Sequence, residues 1–179
     1  TYPPITPSVT HFPGCLFLGL LALVGMACQE IPLCAQFASP TAHAQIADDA
    51  LDELSGLAVS IQNEDLIWTH NDKSDETILY ALSKRGQVRG RLQLTGVASL
   101  DWEDIALGKC PPGMGAHCLY IGDIGDNDEA RDHISVLIVR EPALTKGVFG
   151  LRSTTEVREL KAVYRDGPKD AEALVVHPN

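Results

Sequence analysis

Three stretches of the chain repeat one pattern. ELSGLAVS begins at Glu53, DWEDIALG at Asp101 and DAEALVVH at Asp170. Each opens with an acid and one intervening residue. Ser or Glu follows, then a small or acidic residue and an apolar run. Ser55 and Glu103 stand 48 residues apart, and Glu103 and Glu172 stand 69 apart, which leaves room for an insertion. A recurrence of four-strand units at about 40 to 50 residues is the spacing of propeller blades. The first two units also close alike: LIWTHND and LYIGDIGDN are apolar runs that end in Asn/Asp-bearing turns.

Between these marks the pattern is of short β-runs. DLIWTH (65–70) and TILYALS (77–83) are rich in β-branched and aromatic residues. KRGQ, centred on Gly86, reads as a hairpin turn. VRGRLQL then alternates, with Arg89, Arg91 and Gln93 on one face and Gly90, Leu92 and Leu94 on the other. CLYIGD, SVLIVRE and ALVVHP continue the theme. Helical periodicity is weak, and DDALDELSGL allows one short helical turn at most. The expected fold class is all-β, an incomplete β-propeller of about two blades plus the start of a third. Trp68 and Trp102 are expected to pack between the units.

The motifs WTHND, LYAL, DWEDIA, YIGDIGDN, REPAL and YRDGPKDAEALVVHP occur here in that order. In this the chain resembles an uncharacterised family of secreted bacterial β-propeller proteins, from about Leu54 to the C-terminus. More distantly, SGLA, EDIA and EALV resemble the blade-start motif of β-propeller phytases and gluconolactonase-type propellers. The resemblance implies acidic residues that line a central channel and bind calcium.

Calcium takes six to eight oxygen ligands, more than one blade supplies. A propeller gathers the starts of several innermost strands around one axis. Glu103 and Glu172 hold the same place in their repeats. Asp101 and Asp170 precede them by two residues, hence on the same strand face. These four are the expected metal ligands. The first repeat departs from the rule, with Ser55 where the others carry Glu. The competing account has the same carboxylates accepting hydrogen bonds from main-chain amides at strand starts.

Asn71, Asp72, Asp123, Asp126 and Asn127 are expected near the channel mouth. Counted from Asp126, the sixth residue is Arg131 rather than Gly and the twelfth is Leu137 rather than Glu, so this is no EF-hand. Two readings of YIGDIGDNDEA stay open and are compatible. In one, Gly122, Gly125 and the Asx side chains shape a tight turn. In the other, the turn forms part of a cation-binding mouth. His70, His117 and His133 have no evident pairing, and no nucleophile elbow occurs.

The front of the chain differs in kind. Cys15 to Cys28, CLFLGLLALVGMAC, carries no charge. It is too short to span a bilayer but suits a secretory signal. Ala42-His43-Ala44 has the small-x-small form of a cleavage site, so residues 1–44 are assigned to a leader and 45–179 to the propeller portion. VGMAC offers an alternative, a lipoprotein box with Cys28 as the lipidated residue and Gly25 in place of the expected Leu or Val. No Lys or Arg precedes Lys73 and the first residue is not Met. The true start is therefore expected upstream, or the sequence is partial. A closed propeller has at least four blades, and the 135 residues after Ala44 make about two and the start of a third, so the chain is expected to be the N-terminal portion of a longer protein. Cys110 and Cys118 flank PPGMGAH and are expected to form a disulfide in an extracytoplasmic setting.

The net charge of −10, with 14 scattered basic residues, argues against nucleic acid as a partner. Contact with a membrane is expected only through the leader or lipidation. The expected function is cation binding with calcium as cofactor, joined to esterase- or phosphoesterase-like hydrolysis of a small anionic or ester substrate. The alternative is a non-catalytic binding propeller whose acids are structural.

Overall fold

Short β-branched runs separated by Gly- and Asx-rich turns favour antiparallel meanders, and two such meanders form. The computed structural model describes residues 39, 41–72, 76–144 and 150–177. The apolar run Cys15 to Cys28, including the lipidation candidate Cys28, lies outside them. The chain divides into two units, Thr1–Ser39 and Pro40–Asn179, and every element below belongs to the second.

The first sheet contains β1 (Leu54–Val59), β2 (Leu66–Asn71), β3 (Ile78–Ser83) and β4 (Val88–Leu94), joined antiparallel in that order. The second contains β5 (Trp102–Lys109), β6 (His117–Asp123), β7 (Ile134–Arg140) and β9 (Val157–Ala162), also antiparallel. Between β7 and β9 the chain crosses to the first sheet and adds β8 (Leu151–Thr154) parallel to β4. Among the described residues there is no helix. The fold is all-β.

The KRGQ turn forms as its glycine predicts. Gly86 adopts a φ of 77°, and its amide donates to Ser83 O at 2.9 Å. In β4 the two faces separate as the alternation requires, with Gly90, Leu92 and Leu94 buried. One apolar cluster joins the sheets. Trp68, Leu79 and Leu94 come from the first, and Trp102, Ile121 and Leu137 from the second. Trp68 and Trp102 are almost wholly buried. At about 25 cal/mol per Å² of apolar surface, this shared core is what binds one meander to the next.

The third repeat departs from expectation. ALVVH (173–177) does not form a strand: residues 170–177 run beside β5 without a ladder. Ala171 N donates to Ile124 O at 3.3 Å, and Leu174 N donates to the Asp104 carboxylate at 2.8 Å. A strand needs a series of main-chain partners, and the described residues supply one main-chain bond here.

Strands β8 and β9 have no apolar alternation to announce them. Their side chains are mostly exposed, and they form because β4 and β7 offer free edges.

The disulfide joins Cys110 to Cys118, with Cα atoms 4.9 Å apart, and closes the PPGMGAH loop. Near that end of the second sheet, Glu141 is fully buried. Its carboxylate accepts hydrogen bonds from Ser60 Oγ, from Gln62 N at 3.2 Å and from Trp68 Nε1 at 3.1 Å. Asn63 Nδ2 lies 3.4 Å away. One carboxylate from the second meander thus gathers donors from the first.

Candidate functional site: an acidic cluster at the repeat starts

The repeat starts are where both meanders break regular pairing. In β1 the register shifts between Ser55 and Ala58, where Gly56 has a φ of 60°. In β5 Trp102 pairs with Asp123 and Asp104 with Gly122, which leaves Glu103 as the extra residue of a bulge. Bulges re-aim side chains that strict alternation would send elsewhere. Trp102 and Glu103 are consecutive, yet both are buried.

Asp72, Asp101 and Glu103 each offer an oxygen, and these atoms lie within 4.8 Å of one another. Glu103, Asp170 and Glu172 form a second such triad on the same criterion. All four expected ligands are therefore brought together, and Asp72 joins them from the end of the first meander. Asp101 and Glu103 are buried, Asp72 is half-buried, and Asp170 and Glu172 are exposed. The cluster thus has a buried side and a solvent side.

The loop after β6 lies over these acids. A Cβ on Gly125 would come within 2.2 Å of Glu103 Oε1 and 2.5 Å of Asp101 Oδ2. Only glycine allows the main chain to pass so close. The amides of Ile124 and Gly125 donate to Asp101 O at 3.1 and 3.2 Å. Asn127 Nδ2 donates to Asp101 Oδ2 at 3.1 Å, and Asp126 N donates to Asp170 Oδ1 at 2.7 Å. The loop therefore ties the second repeat start to the third.

The residues assigned to the mouth divide by role. Asp126 accepts from the amides of Ala130 and Arg131, both at 2.9 Å, and so closes its own turn. Asp123 pairs with Arg131 at 2.9 Å and accepts from Asp101 N at 3.0 Å. Arg131 also donates to Gly125 O at 2.7 Å. These are turn-forming interactions, as one of the two sequence readings had it. Asn71 Nδ2 donates to Ala50 O at 2.8 Å, and its Oδ1 is buried with no hydrogen-bond partner. Asn127 touches the cluster directly, and Asp72 is a member of it.

Ser55, which breaks the acidic repeat, donates from its hydroxyl to Glu103 O at 2.8 Å. It holds the bulge instead of adding a carboxylate.

The electrostatics of the cluster are unbalanced. No Lys or Arg among the described residues forms an ion pair with Asp72, Asp101, Glu103, Asp170 or Glu172. Burial, the hydrogen-bonding Glu172 carboxyl and the negative charge of Asp72 push the Glu103 carboxyl up to about 8. Asp101 Oδ1 and Asp72 Oδ1 are buried oxygens with no hydrogen-bond donor. A carboxylate oxygen left so is costly unless a proton or a cation meets it. Oxygens crowded in this way could hold a metal ion.

His70, fully buried behind β1, donates from Nδ1 to Asn71 O at 2.9 Å and meets Trp102 edge-on. Burial lowers its pKa below the ordinary histidine value. Two open grooves accompany these features. One, of about 400 Å³, follows β1, β5 and residues 174–176 and is walled by Leu57, Val59, Ile61, Ala106, Leu107 and Val175. A larger one, of about 550 Å³, lies at Met114, Arg140 and Arg158 and contains none of the clustered acids.

Sequence reasoning placed Asp72 with the mouth residues rather than with the ligands. It gave Gly125 only a turn role and did not single out Glu141. The one sequence signal for Gly125 is its place inside GDIGDN, a glycine set between acids. Comparison of the chain with protein-family models, with curated proteins and with solved structures finds no match.

Proposed function

We propose that this chain is part of an extracytoplasmic β-propeller that binds a divalent cation, calcium, at its acidic repeat starts. The observation that carries the reading is the convergence of Asp72, Asp101, Glu103, Asp170 and Glu172 into two triads of oxygens within 4.8 Å. The propeller reading is supported by two successive antiparallel meanders that pack through one core, with their first strands side by side. The Cys110–Cys118 disulfide supports an oxidising compartment. The choice of calcium over softer ions follows from an all-oxygen ligand set without Cys or His.

Hydrolysis of a small anionic ester is the chemistry that suits this arrangement. A bound cation would neutralise the anionic group and polarise the ester. The protein's own part is to crowd the carboxylates, to fix Asp101 through Asn127 and the Gly125 loop, and to offer the apolar groove beside β1 and β5. The second reading is a non-catalytic binding propeller. The engagement of Asp123 and Asp126 in turn architecture favours it, because it removes two acids from chemistry.

Calorimetric titration of calcium into the protein and its Glu103→Gln/Glu172→Gln double variant tests the site. Binding that disappears in the variant is expected. Absence of binding to the parent removes the proposal. Turnover of aryl phosphate or aryl acetate esters that is lost in Glu103→Gln separates the hydrolase from the binding module.

A further inference from the structure

The segment before β1 takes its seat on the first sheet at Gln45. A Cβ on Gly86 would stand 2.8 Å from Gln45 O and 3.3 Å from Ile46 Cγ1, so glycine, with a φ of 77°, lets the main chain settle there. From Gln45 the segment crosses the outer face of the sheet as a strap. Asp48 pairs with Arg91 at 2.7 Å. Ala50 O accepts from Asn71 Nδ2 at 2.8 Å, and Glu53 O accepts from Asp72 N at 2.8 Å. Leu51 and Leu54 pack against Ile78, Tyr80 and Leu82, an apolar cluster separate from the shared core. The strap thus covers apolar surface of β3.

Upstream of Gln45 the character of the chain changes. Residues 41–44 are exposed and without regular structure. Exposed, irregular chain is where peptidases cut. Ala42-His43-Ala44 has the small-x-small form of a signal-peptidase site, and the charge-free run CLFLGLLALVGMAC precedes it. A cut after Ala44 keeps every strap contact named above, since each is made by Gln45 or a later residue. Sequence motif and strap geometry mark the same peptide bond from its two sides.

That cut leaves glutamine as the first residue, and an amino-terminal glutamine carries its own electrophile. The freed α-amine attacks Cδ of the side-chain amide. A five-membered lactam forms, the bond from Cδ to the amide nitrogen breaks, and that nitrogen leaves as ammonia with a proton from the amine. No oxidant or cofactor is needed. The Gln45 side chain is exposed, and the carbonyl oxygen seated at Gly86 takes no part in the reaction. The ring closes without unseating the strap.

We propose that Gln45 is the mature amino terminus and a modification site, cyclised to pyroglutamate after cleavage of the Ala44–Gln45 bond. The cleavage rests on the extracytoplasmic reading above; the cyclisation goes beyond it. The cyclised end has neither charge nor free amine. Aminopeptidases, which need that amine, cannot then trim toward Leu51 and uncover Ile78, Tyr80 and Leu82.

The test is intact mass and amino-terminal sequencing of the full chain, leader included, secreted from a bacterial host and read at harvest. The expected product begins at residue 45, is lighter by one ammonia than the open form, and yields no sequence until pyroglutamyl peptidase exposes Ile46. Gln45→Ser keeps the main-chain oxygen at Gly86. It is expected to be cut at the same bond, to sequence directly, and to be trimmed by an aminopeptidase that leaves the parent intact. A parent beginning at Gln45 with a free amine overturns the cyclisation and leaves the cleavage standing. A retained leader, or a first residue elsewhere such as Cys28, overturns both. Calcium titration of the same samples reads the cation site independently of either result.

Discussion

The hydroxyl of Ser55 donates to the main-chain oxygen of Glu103 at 2.8 Å, so equivalent positions of two repeats are bonded to each other. The first repeat gives up a carboxylate and gains a tie to the bulge that presents the second repeat's carboxylate. Ser55→Ala is expected to cost about 1 kcal/mol and to weaken calcium binding severalfold by loosening the Glu103 bulge. Chemical denaturation beside calcium titration checks this. An unchanged calcium affinity would show that the bond serves stability alone.

Gly125→Ala places a Cβ where Glu103 Oε1 and Asp101 Oδ2 now lie. Calcium affinity is expected to fall at least tenfold, while the far-UV spectrum stays that of an all-β protein. Wild-type affinity in Gly125→Ala would mean that the loop does not control the acids.

The raised Glu103 carboxyl predicts a pH-dependent stability in the absence of cations. Its folded pKa of about 8 exceeds the ordinary glutamate value, so the unfolded chain releases the proton first. Stability from this group is full below about pH 4.3, declines as pH rises, and is lost as pH passes through about 8. In chelator, Tm should fall between pH 5 and pH 8.5. Saturating calcium, which takes the proton's place, should flatten that slope, and so should Glu103→Gln. A chelated parent whose Tm is level across this range would contradict the placement of Glu103.

The buried Glu141 carboxyl group accepts hydrogen bonds from Ser60, Gln62 and Trp68. Removing it leaves the fully buried Trp68 Nε1 without its acceptor and frees Ser60 and Gln62 from the second meander. Glu141→Ala is expected to destabilise the protein by about 3 kcal/mol or more, with Glu141→Gln less severe. Denaturant midpoints measure the difference. Equal midpoints for Glu141→Ala and the parent would mean the two meanders do not depend on this clasp.

Reduction of Cys110–Cys118 opens a loop of short span. Loop-closure entropy puts the cost at about 2–3 kcal/mol. Cys110→Ser/Cys118→Ser should lower Tm and leave calcium stoichiometry unchanged, because Asp101 and Glu103 lie at the other end of β5. A change in stoichiometry would tie the loop to the site.

The strands were legible wherever one face is wet and the other dry. VRGRLQL announced its two faces by alternation, and KRGQ announced its turn by Gly86. Cys110 and Cys118 were legible as a pair because the seven residues of turn-rich chain between them bring them together locally. Leu151–Thr154 and Val157–Ala162 were not, because edge strands with polar side chains take their structure from a neighbour's free hydrogen bonds. For ALVVHP the apolar, β-branched residues said strand, but the described neighbours supply no ladder for one.

Sequence alone marked four of the five clustered acids, since Asp101, Glu103, Asp170 and Glu172 hold matching places in DWED and DAEA. Tertiary structure decided the rest. It added Asp72, made Ser55 a tether, set Asp123 and Asp126 to shaping a turn, and brought Gly125 against the carboxylates. The physical reason is range. Periodicity and turn chemistry act over a few residues, and a repeat carries them forward unchanged. Whether an acid meets a cation, an amide or another acid depends on atoms dozens of residues away, and a one-residue bulge at Glu103 is enough to change the answer.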